Sequence, residues 1–319
     1  MSIKKVLVVS YSQTGQLTNL TDSVLFPLYE KKDIEVVIKS IRPKKAYPFP
    51  WDFMTFMDHF PESIYLDPPE IEEIEDDEND YDLVILPYQV WFLSPSLPIT
   101  AFLKSEYAKK KLKDKPIITL IGCRNMWVMA QEKMKILLKE LDAKLIDNIV
   151  LIDQGSSFST FFTTTRWMMT GKKDRWLGIF PYAGISEKDI KNASRFGWAI
   201  KEALELDKEK NDSPLCSGLK AVNVDEKLIK SEQIATKSFS IWGKLIRKVG
   251  PLGDAKRKPI VMLYVVFLVL IIATIVPLNM LIQTIMRKIN KEKVLKQKEF
   301  YAAPSGNTDE RMKDFLNNE

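Results

Sequence analysis

At 319 residues, 45% of them hydrophobic, the chain is long enough for one well-buried domain with a substantial appendage. Two cysteines, Cys123 and Cys216, exclude a disulfide framework and favour the cytoplasm for the main body. The net charge of +5 hides an asymmetry: "PPEIEEIEDDENDYD" (68–82) is strongly acidic, whereas 240–300 is rich in Lys and Arg flanking an apolar stretch, a pattern of membrane surfaces rather than of nucleic-acid binding.

"KVLVVSY" (5–11) is a continuous β-branched run, the pattern of a central parallel strand buried on both faces, and it is too short and lacks the cleavage site for a signal peptide. A helix is expected over 16–29, a strand at "IEVVIKSI" (34–41), and a third strand at "YDLVILPYQVW" (81–91) followed by a helix over 97–112. "KPIITLIGC" (115–123) predicts strand four, 127–141 a helix, and "AKLIDNIVLID" (143–153) strand five. The helix over 186–206 opens with Ser186 as N-cap and Asp189 in its first turn. Five strands alternating with helices predict an α/β domain over 1–206 with a doubly wound parallel sheet.

Two stretches exceed that minimal domain: 44–69, "KKAYPFPWDFMTFMDHFPESIYLDPP", and 154–183, "QGSSFSTFFTTTRWMMTGKKDRWLGIFPYA". Long insertions in compact domains are lids, binding loops or disorder, and aromatic content this high argues against disorder. Phe53, Phe56, Phe60, Phe161, Phe162, Trp167 and Trp176 are expected to line an alkyl tunnel, dip into a bilayer interface, or pack over the sheet. The acidic run 70–80 reads as a solvated loop.

After the domain comes a linker, 207–258, carrying an amphipathic element at 239–250, "FSIWGKLIRKVG", expected to lie in a membrane interface with Trp242, Leu245, Ile246 and Val249 towards lipid. Residues 259–286 are apolar on all sides and long enough for a transmembrane segment, and a basic polar tail, 287–319, follows. Lys and Arg balance at the two ends, so two topologies stay open. Either the tail crosses the membrane, or Pro277 and Asn279 mark a re-entrant bend.

The turn "SYSQTGQLTN" (10–19) joins strand one to helix one. Backbone N–H groups and hydroxyls converging on a helix N-terminus form an anion site, and Ser12, Gln13, Thr14, Gly15 and Gln16 fit it. Neither G-x-x-x-x-G-K-[ST] nor G-x-G-x-x-G is present there, which leaves a monoester phosphate held without lysine, or an ordinary capped turn. Tyr88 to Phe92 fall at the carboxyl end of strand three, where open α/β sheets bind ligands.

With these two stretches the chain resembles the flavodoxin-like family, whose phosphate loop runs S/T-x-T-G-x-T and whose third strand runs Y-D-x-I-x-x-G-x-P-V-W. The resemblance covers 3–204 and implies strand order 2-1-3-4-5 with FMN as cofactor. Its phosphate would lie on Ser12, Gln13, Thr14, Gly15, Gln16, Leu17 and Thr18, and its ring near Gln89, Val90, Trp91 and Phe92. "IGCRNMW" (121–127) matches the second flavin loop by position, adding Gly122, Arg124 and Asn125. Leu17 stands where the family has Thr, and Pro87 and Gln89 stand where it has Gly and Pro. More particularly, the chain looks like the membrane-tailed dialkylresorcinol condensing enzyme group of bacterial dialkylresorcinol and flexirubin-type pigment pathways. That similarity implies aromatisation of a 2,5-dialkylcyclohexane-1,3-dione at the inner, cytoplasmic membrane, with the domain facing the cytoplasm. NAD(P)H or another electron-transfer partner, and a separate ketosynthase, go with it.

Removing hydride from such a dione also needs a proton acceptor. The candidates are His59, the single histidine, with Tyr88 and Tyr182 as proton relays and Arg124 for a developing enolate. No metal set is assigned. Three functions remain open: an FMN enzyme acting on a lipophilic dione or quinone, an electron carrier for a membrane partner, and a membrane-tethered scaffold without flavin.

Overall fold

The computed structural model describes residues 3–316, and for 275–289 and 316 the backbone alone. Its sheet contains β1 (Lys4–Ser10), β2 (Ile34–Ser40), β3 (Leu83–Tyr88), β6 (Pro116–Cys123) and β7 (Lys144–Ile152); the short β4 (Val90–Trp91) and β5 (Ser94–Pro95) form a hairpin beyond β3. All five strands are parallel in the order β2-β1-β3-β6-β7, the 2-1-3-4-5 order expected for a doubly wound domain. Every residue of β3 is buried, which accounts for the unbroken apolar run in its sequence.

Strand order reverses at β1, because the chain moves to β2 on one side and then returns past β1 to β3. Right-handed crossovers therefore set α1 (Gln16–Tyr29) on one face and the later crossover helices on the other. These are α4 (Leu97–Leu103), α5 (Glu106–Leu112) and α6 (Val128–Glu140). The helix expected over 97–112 is two helices, because Ser105 starts a new one by accepting from the Ala108 N–H at 3.1 Å. The helix expected over 186–206 likewise divides into α8 (Glu187–Lys191), capped by Ser186, and α9 (Ser194–Glu205). α9 lies so close to α1 that a Cβ on Gly197 would sit 2.0 Å from the Val24 carbonyl oxygen.

The insertions are ordered. The first forms α2 (Phe53–Asp58) and α3 (Phe60–Ile64), the second α7 (Ser157–Thr170), and the Trp51 N–H donates to the Met168 carbonyl at 2.8 Å to join them. The acidic run is only partly solvated. Asp77 pairs with Lys39 and Lys111 and accepts from the Tyr81 hydroxyl at 2.7 Å, so it staples this loop onto the sheet edge and α5.

Residues 207–258 depart most from the linker expected of them. Residues 215–224 run along β7, where the Val150 N–H donates to the Ala221 carbonyl at 2.9 Å. They are followed by α10 (Glu226–Val249), a 24-residue helix. Part of its apolar face packs inside the protein: Ile246 is fully buried and Trp242 packs on Tyr264 and Phe267, whereas Leu245 is exposed. α11 (Lys258–Ile289) is one uninterrupted helix through Pro277 and Asn279, so the re-entrant bend is absent. It is the one helix among the described residues long and apolar enough to cross a membrane. α12 (Lys291–Ala302) then leads back to the domain, and α13 (Met312–Leu316) ends the described chain. The tail is therefore not a free basic extension. Tyr301, Ala302, Ser305 and Phe315 are buried, and the Ser305 hydroxyl bonds to Asp147 Oδ1 of β7 at 2.7 Å.

Candidate functional site

The carboxyl ends of β1 and β3, on either side of the point where strand order reverses, form a natural crevice. Beyond β1, Gly15 takes φ +81 as the N-cap of α1, a left-handed conformation that glycine adopts without cost. The loop N–H groups of Gln13, Thr14 and Gly15, and that of Leu17 in the first turn, have no acceptor among the described residues. Ser12 Oγ and Thr14 Oγ1 make long contacts of 3.4 Å with the N–H groups of Thr18 and Gln16. The two glutamines are clips. Gln13 Nε2 donates to the Pro48 carbonyl at 2.8 Å, tying the loop to the first insertion, and Gln16 Oε1 accepts from the Ile185 N–H at 2.9 Å. Leu17 points into the core, with its Cδ1 3.2 Å from where a Gly122 Cβ would be. Its backbone N–H is what it offers an anion, and Gly122 leaves room for its side chain. Free hydroxyls and N–H groups at a helix N-terminus suit a phosphate dianion.

Beyond β3 the chain turns through Phe92 (φ +48) and Leu93 (φ +56), both left-handed, as the centre of a two-residue hairpin loop requires. Bulky residues are strained there, and Phe92 is held by packing on Phe56 at 4.7 Å and Phe60 at 5.5 Å between ring centroids. Gln89 Oε1, at this strand end, and Asn125 Oδ1, in the loop after β6, are buried without a hydrogen-bond partner. An unpaired buried polar atom costs about 1–3 kcal/mol. Both orphaned amides lie in the loops that the resemblance assigns to the flavin ring, and an amide pairs readily with the donor and acceptor edge of such a ring. The residues present therefore fit FMN at the phosphate end and at the ring edge.

An aromatic cluster roofs the β1 and β3 ends. Tyr47 lies 5.0 Å from Trp91, 6.1 Å from Tyr11 and 5.4 Å from His59, and Trp51 lies 5.2 Å from His59. His59 thus reaches the loop after β3 through one ring. Its Nδ1 is 2.7 Å from the Thr55 carbonyl, which makes Nδ1 the protonated nitrogen and leaves the Nε2 lone pair free. Burial lowers its pKa below the usual histidine range, so the ring is neutral at pH 7.

The other candidates lie elsewhere. Tyr88 is wholly buried with its hydroxyl on Gln131 Oε1 at 2.6 Å, and burial pushes its pKa well up, so it is a core residue beneath the site. Tyr182 is exposed. Arg124 lies against the first turns of α7, donating to the Ser157 carbonyl at 3.2 Å and covering Phe161, whereas His59 and Trp51 lie beside its last turn. About 16 Å of helix separates these positions, so Arg124 and His59 do not act on one atom.

Sequence reasoning missed Tyr11, Tyr47 and Trp51 as roof residues, although the aromatic richness of 44–69 was the available signal. It also missed Glu232. This residue of α10 is 1% exposed, accepts from the Met129 N–H at 2.9 Å at the start of α6, and has its pKa pushed up to about 8, chiefly by burial. No local pattern links positions 103 residues apart. A carboxyl whose folded pKa lies above its unfolded value stabilises the fold fully below about 4.5 and loses that contribution as pH rises through 8. Asp147 and Asp153, raised to about 6, act with the same sign at lower pH, and His59 opposes them below 6.5. The melting temperature is therefore expected to fall between pH 6.5 and 8, and Glu232→Gln to flatten that fall. An unchanged slope in the variant would show that Glu232 does not carry it.

No protein-family model matches the chain, and no curated protein matches it. Solved structures similar to it include a flavoprotein in complex with FMN from Lactobacillus acidophilus NCFM, 21% identical over 46% of this chain and 91% of that one, with a TM-score of 0.37. A flavodoxin from the domain Archaea is 12% identical over 63% and 99%, TM-score 0.35. RosB, with bound 8-demethyl-8-formylriboflavin-5′-phosphate, is 12% identical over 70% and 91%, TM-score 0.30.

Proposed function

We propose that this chain is a membrane-associated FMN-dependent oxidoreductase that dehydrogenates a lipophilic cyclic dione, of the 2,5-dialkylcyclohexane-1,3-dione type, to the corresponding resorcinol. The observation that carries the flavin reading is the pairing of an unsatisfied hydroxyl-rich loop after β1 with the orphaned amides of Gln89 and Asn125 at the neighbouring strand ends. The roof and the apolar helix favour a greasy substrate, since α3 of the roof packs directly on α11 through Phe60 stacked on Tyr264 at 4.5 Å.

Conversion of the dione to the resorcinol removes one hydride and one proton from adjacent ring carbons. FMN supplies the two-electron acceptor when bound, and a membrane quinone is the class of oxidant that would take those electrons onward. The protein's share is to exclude water and receive the proton. Tyr11, Tyr47, Trp51 and Trp91 form a largely dry wall, and the free Nε2 of neutral His59 is an acceptor suited to an acidic C–H. Arg124, at the far end of α7, would bind an anionic oxygen remote from that proton.

The test is the visible spectrum of detergent-solubilised full-length protein, as purified and after FMN addition, followed by anaerobic addition of a dialkylcyclohexanedione. A bound flavin band that bleaches with one resorcinol formed per flavin is expected. A colourless protein that takes up no FMN overturns the flavin reading, and a stable band in the presence of dione overturns the substrate.

A further inference from the structure

The sequence leaves a crossing tail or a re-entrant bend open for the apolar segment, whereas the fold shows a helix without a bend whose two flanks both return to the domain. Residues on both sides of α11 are built into the same folded domain. On its amino side, Arg257 is completely buried between Glu62, with two contacts at 2.9 and 3.0 Å, and Asp58, 2.9 Å from its Nε. Val261 and Tyr264, in the first turns of α11, are buried with Phe60 and Ile246. On its carboxyl side, Ser305 bonds to Asp147 and receives the Asn148 N–H at 2.6 Å. The N–H groups of Val222 and Lys220 donate to Gly306 and Thr308 at 3.2 and 2.7 Å, and Arg311 donates to the carbonyls of Leu215 and Ser217. The tail thus lies beside the segment bonded to β7, against the sheet edge.

Helix lengths then limit where α11 can end. Ala302 is docked, and the 12 residues of α12 reach about 18 Å. The far end of α11 is therefore held within roughly 20 Å of the domain, short of the ~30 Å hydrocarbon core that a crossing helix must traverse. Yet α11 has 32 residues, and the face turned away from Phe60 and Ile246 is bare: Met262, Leu263, Val266, Val269 and Leu270 are each about half exposed. No charged residue interrupts 260–276, and the Thr274 hydroxyl is satisfied by the Leu270 carbonyl. Exposed lysines mark both ends, Lys256 and Lys258 before it and Lys291 and Lys293 after it. That distribution matches one anionic surface met twice, since a crossing helix carries its excess of basic residues at one end.

We propose that α11 is embedded in one leaflet of an anionic phospholipid bilayer without crossing it, with both of its ends and the docked tail on the same side as the flavin-type domain. This rests on the membrane association proposed above and replaces a transmembrane anchor with a monotopic one. The roof of the crevice, through α2 and α3, then sits at the acyl boundary, where a dialkyl substrate is dissolved.

Full-length protein carrying either Lys113→Cys, exposed after α5, or Asn307→Cys, exposed in the docked tail, is added from outside to sealed phosphatidylglycerol/phosphatidylcholine vesicles. Native Cys123 and Cys216 are buried. After flotation, a membrane-impermeant maleimide is applied before and after permeabilisation. Both variants are expected to float and to label equally, with no gain on permeabilisation. Flotation with Asn307→Cys labelled only after permeabilisation overturns the monotopic inference while leaving membrane association standing. Failure to float, including a detergent-free dimer that covers α11 with a second copy, overturns both.

Discussion

Gly15→Asp is expected to abolish tight FMN binding while leaving the fold intact. A Cβ at Gly15 meets nothing within 4 Å, and aspartate tolerates the left-handed region better than most residues and is a favoured N-cap. Its carboxylate, however, would occupy the mouth of the anion site. Two unit charges about 4 Å apart at an effective dielectric constant of about 20 repel by about 4 kcal/mol, or roughly three powers of ten in affinity. Gly15→Asn carries the same shape without the charge and should bind FMN nearly as the parent does. Titration of both variants with FMN, read by flavin absorbance or fluorescence, checks this. Equal affinity of Gly15→Asp and parent would mean that no phosphate is held at this helix end.

Arg257→Ala should have the largest effect on stability. The guanidinium is fully buried and bridges α2 and α3 to the start of α11, and its removal leaves Glu62 buried without a partner and Asp58 without its counter-ion. Breaking such a pair costs about 3–5 kcal/mol, which for a chain of this size lowers the melting temperature by roughly 10 °C. Arg257→Met combined with Glu62→Leu and Asp58→Asn, which removes the charge of all three groups, should recover most of that loss. Thermal melts in detergent, with limited proteolysis at 250–257, measure both. If the single variant melts like the parent, the cluster does not hold α11 to the roof. The same contact predicts that loosening α11 also loosens the aromatic roof, because Phe60 and His59 belong to the turn that carries Asp58 and Glu62.

Much of this protein was legible in its sequence. The apolar runs at β1, β3 and β6 marked central strands because a strand buried on both faces has no polar side. The turn after β1 was legible as a candidate anion site because its glycine and hydroxyls act on neighbours within a few positions. The apolar stretch 259–286, which makes up most of α11, was visible from its lack of charge. Single residues were harder to place. Tyr88, next to the loop after β3 in sequence, is a core hydroxyl on Gln131, while His59, 29 positions earlier, reaches the roof because α2 and α3 fold over the strand ends.

Local order and fold class were thus determined by the sequence, since hydrophobic period, turn chemistry and helix caps depend on residues close together in the chain. Only tertiary structure decided what covers the crevice and where the tail docks. Those outcomes rest on pairs such as Asp147 with Ser305, 158 residues apart, and Glu62 with Arg257, 195 apart. No local preference encodes such pairs, because each forms only after the sheet has set the path of the chain that brings the partners together.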